Sequence, residues 1–282
     1  MLRITALRLY PVKSLAGIDV VQWPIGSKGL RYDRNWMIVD EEGQFVTQRK
    51  LARMALIHTE IRDQRVHLSF DGEGSVSFPL ACEPACEPSF KVQVWDDECQ
   101  AQHVSSQVDV WLNRILKHSS TLRLVSMAKN FERQQSQSDR FGEDAAIFAD
   151  AAPLLLTNQS SLQALNEVLE ETQQASVDMR RFRPNIVIEG LSAFAEQEPQ
   201  DLVHSEGNYA LRLADACERC VMIQLDPDSA ERNANAEPYR SLAKSNPQPG
   251  KPKLAFFGMN CLFVGLEGTM IAVGDPLKRS SK

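Results

Sequence analysis

Two acidic, glycine-bearing clusters, Asp40-Glu41-Glu42-Gly43 and Asp71-Gly72-Glu73-Gly74, cut the start of the chain into short pieces that read as strands. Ile4–Val12 alternates and is rich in β-branched and aromatic residues. Trp36–Val39 is a short apolar run, and Val66–Phe70 alternates again. Gln93–Trp95 and Gln100–His103 flank an Asp96-Asp97-Glu98 turn, which predicts a hairpin. Short strands at this spacing point to a barrel or a sandwich.

The pattern then loosens. Val108, Trp111, Leu112 and Ile115 form an apolar stripe in a helix from Ser105 or Ser106 to about Lys117. A strand follows at Thr121–Val125, then Glu132–Arg140, a polar run without periodicity that reads as a surface loop. Ala152–Leu156 is a buried apolar run. Leu162, Leu165 and Val168 mark a helix over Ser161–Leu169. Arg183-Pro184-Asn185 leads into a strand at Ile186–Ile188, since the proline fixes the backbone there. Further strands are expected at Tyr209–Leu213, Val221–Leu225, Leu254–Phe257, Leu262–Val264 and Met270–Val273, with Glu231–Pro252 as a long polar loop. The fold class is therefore α+β, rich in β, with a few helices.

Hydrophobic residues make up 43% of the 282, enough for a substantial core. The net charge of -6 disfavours nucleic acid as a partner. Arg3 and Arg8 interrupt the N-terminus where a secretory signal needs an apolar run. No apolar stretch approaches the roughly 20 residues that span a bilayer. The expectation is a cytoplasmic protein with no membrane segment.

The six cysteines (82, 86, 99, 217, 220 and 261) are too few for a disulfide scaffold of this length. Cys217-Glu218-Arg219-Cys220 is the most informative cluster. A thiolate is both the reactive form of cysteine and a ligand for soft or high-valent metals, and the adjacent Arg219 offers a cation to stabilise it. Strand-like flanks argue against a thioredoxin-type motif. A structural zinc site using Cys82, Cys86, Cys217 and Cys220 is a rival. The five histidines are scattered, and no phosphate-binding glycine loop or nucleophile elbow is present. Anion-binding groups do recur: Lys13 and Ser14 end the first strand, Arg34 precedes another, and Arg183 and Asn185 straddle a proline. Together they resemble a phosphate pocket.

Tyr-Pro-Val-Lys-Ser at 10–14, Gly-Leu-Arg-Tyr-Asp-Arg-Asn-Trp at 29–36 and Phe-Arg-Pro-Asn at 182–185 come in a recognisable order. Cys-Glu-Arg-Cys at 217–220, Leu-Asp-Pro-Asp at 225–228 and Val-Gly-Asp-Pro at 273–276 complete it. The ordered set resembles the MOSC family with its N-terminal β-barrel domain. That group includes bacterial proteins conferring resistance to N-hydroxylated bases and the mitochondrial amidoxime-reducing components. The resemblance implies a MOSC-associated β-barrel domain over 1–124 and a MOSC-type β-barrel domain over 125–282. It also implies a molybdenum–molybdopterin cofactor. In the family the second cysteine of the C-x-x-C ligates molybdenum, which maps onto Cys220. Lys13, Ser14, Arg34, Arg183 and Asn185 map onto residues that hold the pterin and its phosphate. Asp150 lies in a matching stretch that lines the cofactor, and Arg219 is placed beside it.

Three departures stand out. Glu218 replaces a serine common between the cysteines, Ala216 replaces a proline before them, and no ferredoxin-type cysteines follow the last motif. The expected activity is therefore reduction of small N-hydroxylated substrates with electrons from a separate ferredoxin- or flavoreductase-type donor. Cys220 and Glu218 are the catalytic candidates, Glu218 as proton donor. A non-catalytic carrier of the cofactor or of sulfur is the alternative. There is no room in 282 residues for a sulfurase domain, and a zinc scaffold ranks third.

Overall fold

The structure, a computed structural model, describes residues 1–81, 88–133, 147–198 and 200–280. Cys82, Cys86 and most of the Glu132–Arg140 segment lie outside these residues. The fold is β-rich α+β, with three helices among the described residues: α1 (Ser106–Leu116), α2 (Gln159–Glu171) and α3 (Tyr239–Ser245).

An eight-stranded sheet is the backbone of the molecule, and it draws on both ends of the chain. Its order runs Leu277–Arg279, Gln200–His204, Tyr209–Glu218, Phe256–Gly265, Leu154–Asn158, Ile186–Glu189, Arg3–Leu9 and Ile18–Val20. All neighbours pair antiparallel except Leu154–Asn158 with Ile186–Glu189. Ile4, Leu7, Leu156, Ile188, Leu211 and Met259 project from it into one apolar core. A four-stranded sheet (Trp36–Val39, Arg123–Met127, Asp97–His103, Phe90–Val94) and a meander over residues 58–79 enclose a second core, sealed by α1 through Trp111 and Ile115. The expected hairpin pairs Asp97↔Val94. No helix among the described residues is long and apolar enough to cross a membrane.

Three expectations are corrected. Val221–Gln224 is a 3-10 turn and not a strand, closed by Ile223 N–H to Cys220 O (3.4 Å) and Leu225 N–H to Met222 O (3.0 Å). The expected strands Leu254–Phe257 and Leu262–Val264 are replaced by one, Phe256–Gly265, which starts after Ala255 and runs on through Gly258. Gly258 has φ +74°, and a Cβ there would sit 2.6 Å from Leu156 O. Only glycine lets the two strands approach so closely. The polar Glu231–Pro252 segment contains α3, whose Leu242 is buried against Leu165 of α2.

At the start of α2, Asn158 caps the helix by accepting from Ser160 N–H. Beside it Glu196 is wholly buried. Its carboxyl accepts from Ser161 Oγ at 2.7 and 2.8 Å and from Asn158 Nδ2 at 3.3 Å. Burial pushes this carboxyl up, with the hydrogen bonds opposing. The native state thus holds the proton more tightly than the unfolded chain, whose carboxyl titrates near about 4.3. Stability is lost as pH rises from that value through the raised native one. Glu196→Gln has no such titration, so its melting temperature relative to the parent should climb between pH 4 and pH 7. A pH-independent difference would contradict this.

Candidate functional site

Two loops zip together to make one end of the site. Lys13 N–H donates to Trp36 O (2.8 Å), Arg34 N–H to Tyr10 O (2.8 Å) and Trp36 N–H to Pro11 O (3.2 Å). The segment that opens with Tyr10 and the one that carries Arg34 therefore lie side by side. The Asn185 segment docks against them through Arg8 N–H to Asn185 O (2.9 Å) and Asn185 N–H to Leu155 O (2.8 Å). Cys220 arrives from the far side, at the start of the 3-10 turn that follows the strand Tyr209–Glu218.

The result is one cavity of about 700 Å³. All nine residues nominated from the sequence line it: Lys13, Ser14, Arg34, Asp150, Arg183 and Asn185 with Glu218, Arg219 and Cys220. Three of them, Ser14 (φ 67°), Arg34 (φ 48°) and Arg183 (φ 56°), hold left-handed backbone without being glycine. Such conformations cost about 1–3 kcal/mol each and persist only where the surroundings over-determine them.

The cationic end is tightly wired. Lys13 is 5% exposed, and its ammonium donates to Phe148 O at 2.7 Å and to Asp150 Oδ1. Burial pulls that ammonium below its ordinary range, with Asp150 opposing. Burial also acts on Asp150, but the Lys13 ammonium and Arg49 guanidinium win and hold its carboxyl well below the usual range. Arg34 pairs with buried Asp33 and donates to Asn185 Oδ1 at 3.1 Å. Arg34 and Arg183 both lie over the Tyr10 ring, 4.3 and 4.1 Å from its centroid. Arg183 donates to Leu15 O at 2.8 Å and makes no ion pair with a described residue. Burial, with Arg34 adding to it, pulls its guanidinium down to about 10. A cation held against burial and a like charge is a place for an anion.

At the other end Cys220 is a free, exposed thiol, and Cys217 is free and half-buried. Arg219 does not serve Cys220 as expected. Its Nη1 donates to Cys217 Sγ (3.1 Å) and its Nη2 to Phe182 O (2.7 Å), because the strand carries its side chain toward the Phe182 turn. Its Nε is buried with no hydrogen-bond partner, as is Nε of Arg49. Glu218 Oε2 lies 3.3 Å from Lys251 Nζ, which lines the same cavity.

Among the lining residues that escaped the sequence reading, Arg49 and Trp95 bear directly on the cationic end. Arg49 bonds Asp150 Oδ2 (3.2 Å) and lies 4.2 Å from the Trp95 ring centroid, while Trp95 Nε1 donates to Asp150 Oδ1 (3.0 Å). Arg49 sits in no motif. Trp95 was legible only as the edge of a hairpin turn, where its φ of 56° turns the indole over the cavity. Among the described residues no three His, Cys, Asp or Glu side chains cluster to hold a metal, and Cys82 and Cys86, the other half of the zinc alternative, lie outside them.

Residues 1–119 match the MOSC N-terminal beta barrel domain, and residues 143–278 match the MOSC domain. The chain belongs to the MOSC family. Among its relatives, mitochondrial amidoxime-reducing component 1 of Mus musculus is 31% identical over 287 residues, 97% of this MOSC chain and 81% of that protein. The Homo sapiens protein of the same name is 30% identical, covering 97% and 82%. Molybdenum cofactor sulfurase of Bos taurus is 30% identical over 250 residues, 82% of this chain and 27% of that protein.

The donor set fits the cofactor expected in a MOSC protein. A phosphate finds the desolvated Lys13–Arg34–Arg183 cluster, with the unpartnered buried Nε atoms of Arg49 and Arg219 lining the same cavity, and a soft metal finds one accessible thiol.

Proposed function

We propose that this chain binds a molybdenum–molybdopterin cofactor through Cys220 and reduces small N-hydroxylated compounds, hydroxylamines and amidoximes. Electrons come from a separate donor protein of ferredoxin or flavoreductase type, in the cytoplasm. The observation that carries this reading is the single cavity in which an exposed thiol faces a buried, under-neutralised cation cluster. Lys13, Ser14, Arg34, Arg183 and Asn185 hold the pterin and phosphate, and Asp150 fixes the Lys13 ammonium. Arg219 braces the loop that carries Cys220.

When bound, the cofactor supplies two-electron chemistry at the N–O bond. The reaction balances as R–NH–OH with two electrons and two protons giving R–NH2 and water. This chain's own part is to orient substrate and to move protons. Glu218, half exposed at the cavity wall with its Oε2 3.3 Å from the Lys251 ammonium, is the group placed to pass a proton from solvent toward the leaving oxygen.

The likeness to molybdenum cofactor sulfurase favours a second reading, a non-catalytic carrier of cofactor or sulfur. Turnover separates the two. Cofactor-loaded protein with reduced viologen as electron source should convert an aryl amidoxime to the amidine. A sample that retains molybdenum but shows no turnover on amidoximes or hydroxylamines would support the carrier and overturn the reductase.

A further inference from the structure

The Leu225-Asp226-Pro227-Asp228 motif touches none of the cavity chemistry, yet each of its carboxylates takes an arginine. Arg181 Nη2 donates to Asp226 Oδ2 (2.7 Å), and Arg181 Nη1 to Gln224 O (3.3 Å). Arg180 forks onto Asp228 at 2.6 and 2.5 Å. Asp226 also folds its own loop, accepting from Asp228 N–H and Ser229 N–H (2.9 and 3.0 Å). Both arginines belong to the 3-10 turn Met179–Phe182, whose C-cap is Arg183. Both carboxylates follow the 3-10 turn Val221–Gln224, whose N-cap is Cys220.

These ties therefore join the turn that presents the anion-binding guanidinium to the turn that presents the thiol. Arg219, next to Cys220, adds a third through Phe182 O, next to Arg183. Phe182 and Ile223 fill the space between within one apolar cluster. Cys220 has no cap bond from its own side chain, so nothing local to it fixes where its sulfur sits. Of the two carboxylate pairs, Arg181–Asp226 is the more sheltered, at 13% and 36% exposure against 40% and 68%. Surface pairs contribute little even when forked, whereas the sheltered Arg181 guanidinium bridges two acceptors of the thiol-bearing segment, Asp226 Oδ2 and Gln224 O.

We propose that Arg181 and Asp226 are positioning residues that set the separation between the Cys220 sulfur and the Arg183 end of the cavity. The proposal rests on the cofactor reading for its purpose, but the geometry it asserts exists without metal. Holding a ligand in register is the work of partners beyond the ligand shell, whose loss typically costs about 10–100-fold in metal affinity.

The test uses metal-free full-length protein and two reagents of similar size, anionic iodoacetate and neutral iodoacetamide. The rate of Cys220 alkylation by each is followed by mass spectrometry of its peptide. A thiol held near the Arg183 cluster favours the anionic reagent relative to free cysteine. Asp226→Asn keeps the loop-folding oxygen but frees the turn, so the ratio should fall by about threefold. Simple removal of a negative charge would move the ratio the other way. Arg181→Lys, which keeps the charge but cannot bridge Asp226 and Gln224 O together, should lower it as well. A wild-type ratio equal to that of free cysteine, or a ratio unchanged or raised in Asp226→Asn, would overturn the proposal. Molybdenum per chain, measured on the same variants after loading, should drop about tenfold. If wild-type protein takes up no molybdenum while the alkylation ratio still falls, the cofactor reading fails and the positioning pair stands.

Discussion

Cys220→Ser is expected to lose its molybdenum and at least about 100-fold of the reductase rate, since partners one shell further out already cost about 10–100-fold. The fold should not notice. The thiol is exposed, makes no cap bond, and sits in no apolar cluster, so the change belongs with surface substitutions of about ±0.5 kcal/mol. For a chain of this size that is a melting shift of about 2 °C at most. Cys217→Ser is the control. Its sulfur accepts from Arg219 at 3.1 Å and is half-buried, so a hydroxyl acceptor keeps the bond and most of the metal. Activity and melting temperature of the two variants, measured side by side, decide the matter. Equal losses at both positions would place the effect in the loop and not in a single ligand.

Arg183→Gln should separate binding from stability in opposite directions. Burial and the neighbouring Arg34 hold the Arg183 guanidinium at about 10, lowered from its ordinary value. At neutral pH it is charged in both folded and unfolded chains, so the full cost of that lowering falls on the empty native state. Gln removes the cost while still offering a donor to Leu15 O. The variant should melt no lower than the parent in the absence of anions. Its affinity for inorganic pyrophosphate should fall by about 10–100-fold, the value of one charge-assisted hydrogen bond. A variant that melts several degrees lower with pyrophosphate binding intact would make Arg183 a structural residue. Sites that bind charged ligands commonly carry such a stability cost until the ligand arrives.

Arg3–Leu9 was legible because Ile4, Leu7 and Leu9 are buried while its other residues stay partly exposed, and Trp36–Val39 because all four of its apolar residues are buried. Val221–Gln224 misled because an apolar run is silent about its backbone. Its carbonyl Gln224 O and the following Asp226 are instead tied to Arg181, which lies about 45 residues earlier in the chain and gives no local signal. Gln200–His204 was missed because Gln200 and Asp201 dilute an alternation that only pairing with Leu211 and Leu213 reveals. In the site, Lys13, Arg34 and Asn185 could be read as anion-binding types. Their convergence could not, since it depends on backbone bonds between loops far apart in sequence. Arg49 carries no local signal and Trp95 only that of a hairpin edge, and only folding brings them to Asp150. Arg219 shows the opposite failure. Adjacency to Cys220 suggested a partner, but the strand's geometry gave it to Cys217.

The most direct measurement is molybdenum and zinc together, by elemental analysis, on full-length protein and Cys220→Ser expressed with molybdate in a cofactor-competent host. The expected result is close to one molybdenum per chain in the parent and almost none in the variant, with no stoichiometric zinc in either. Stoichiometric zinc without molybdenum, or molybdenum unchanged by the loss of Cys220, would contradict the assignment of that thiol as the cofactor's ligand.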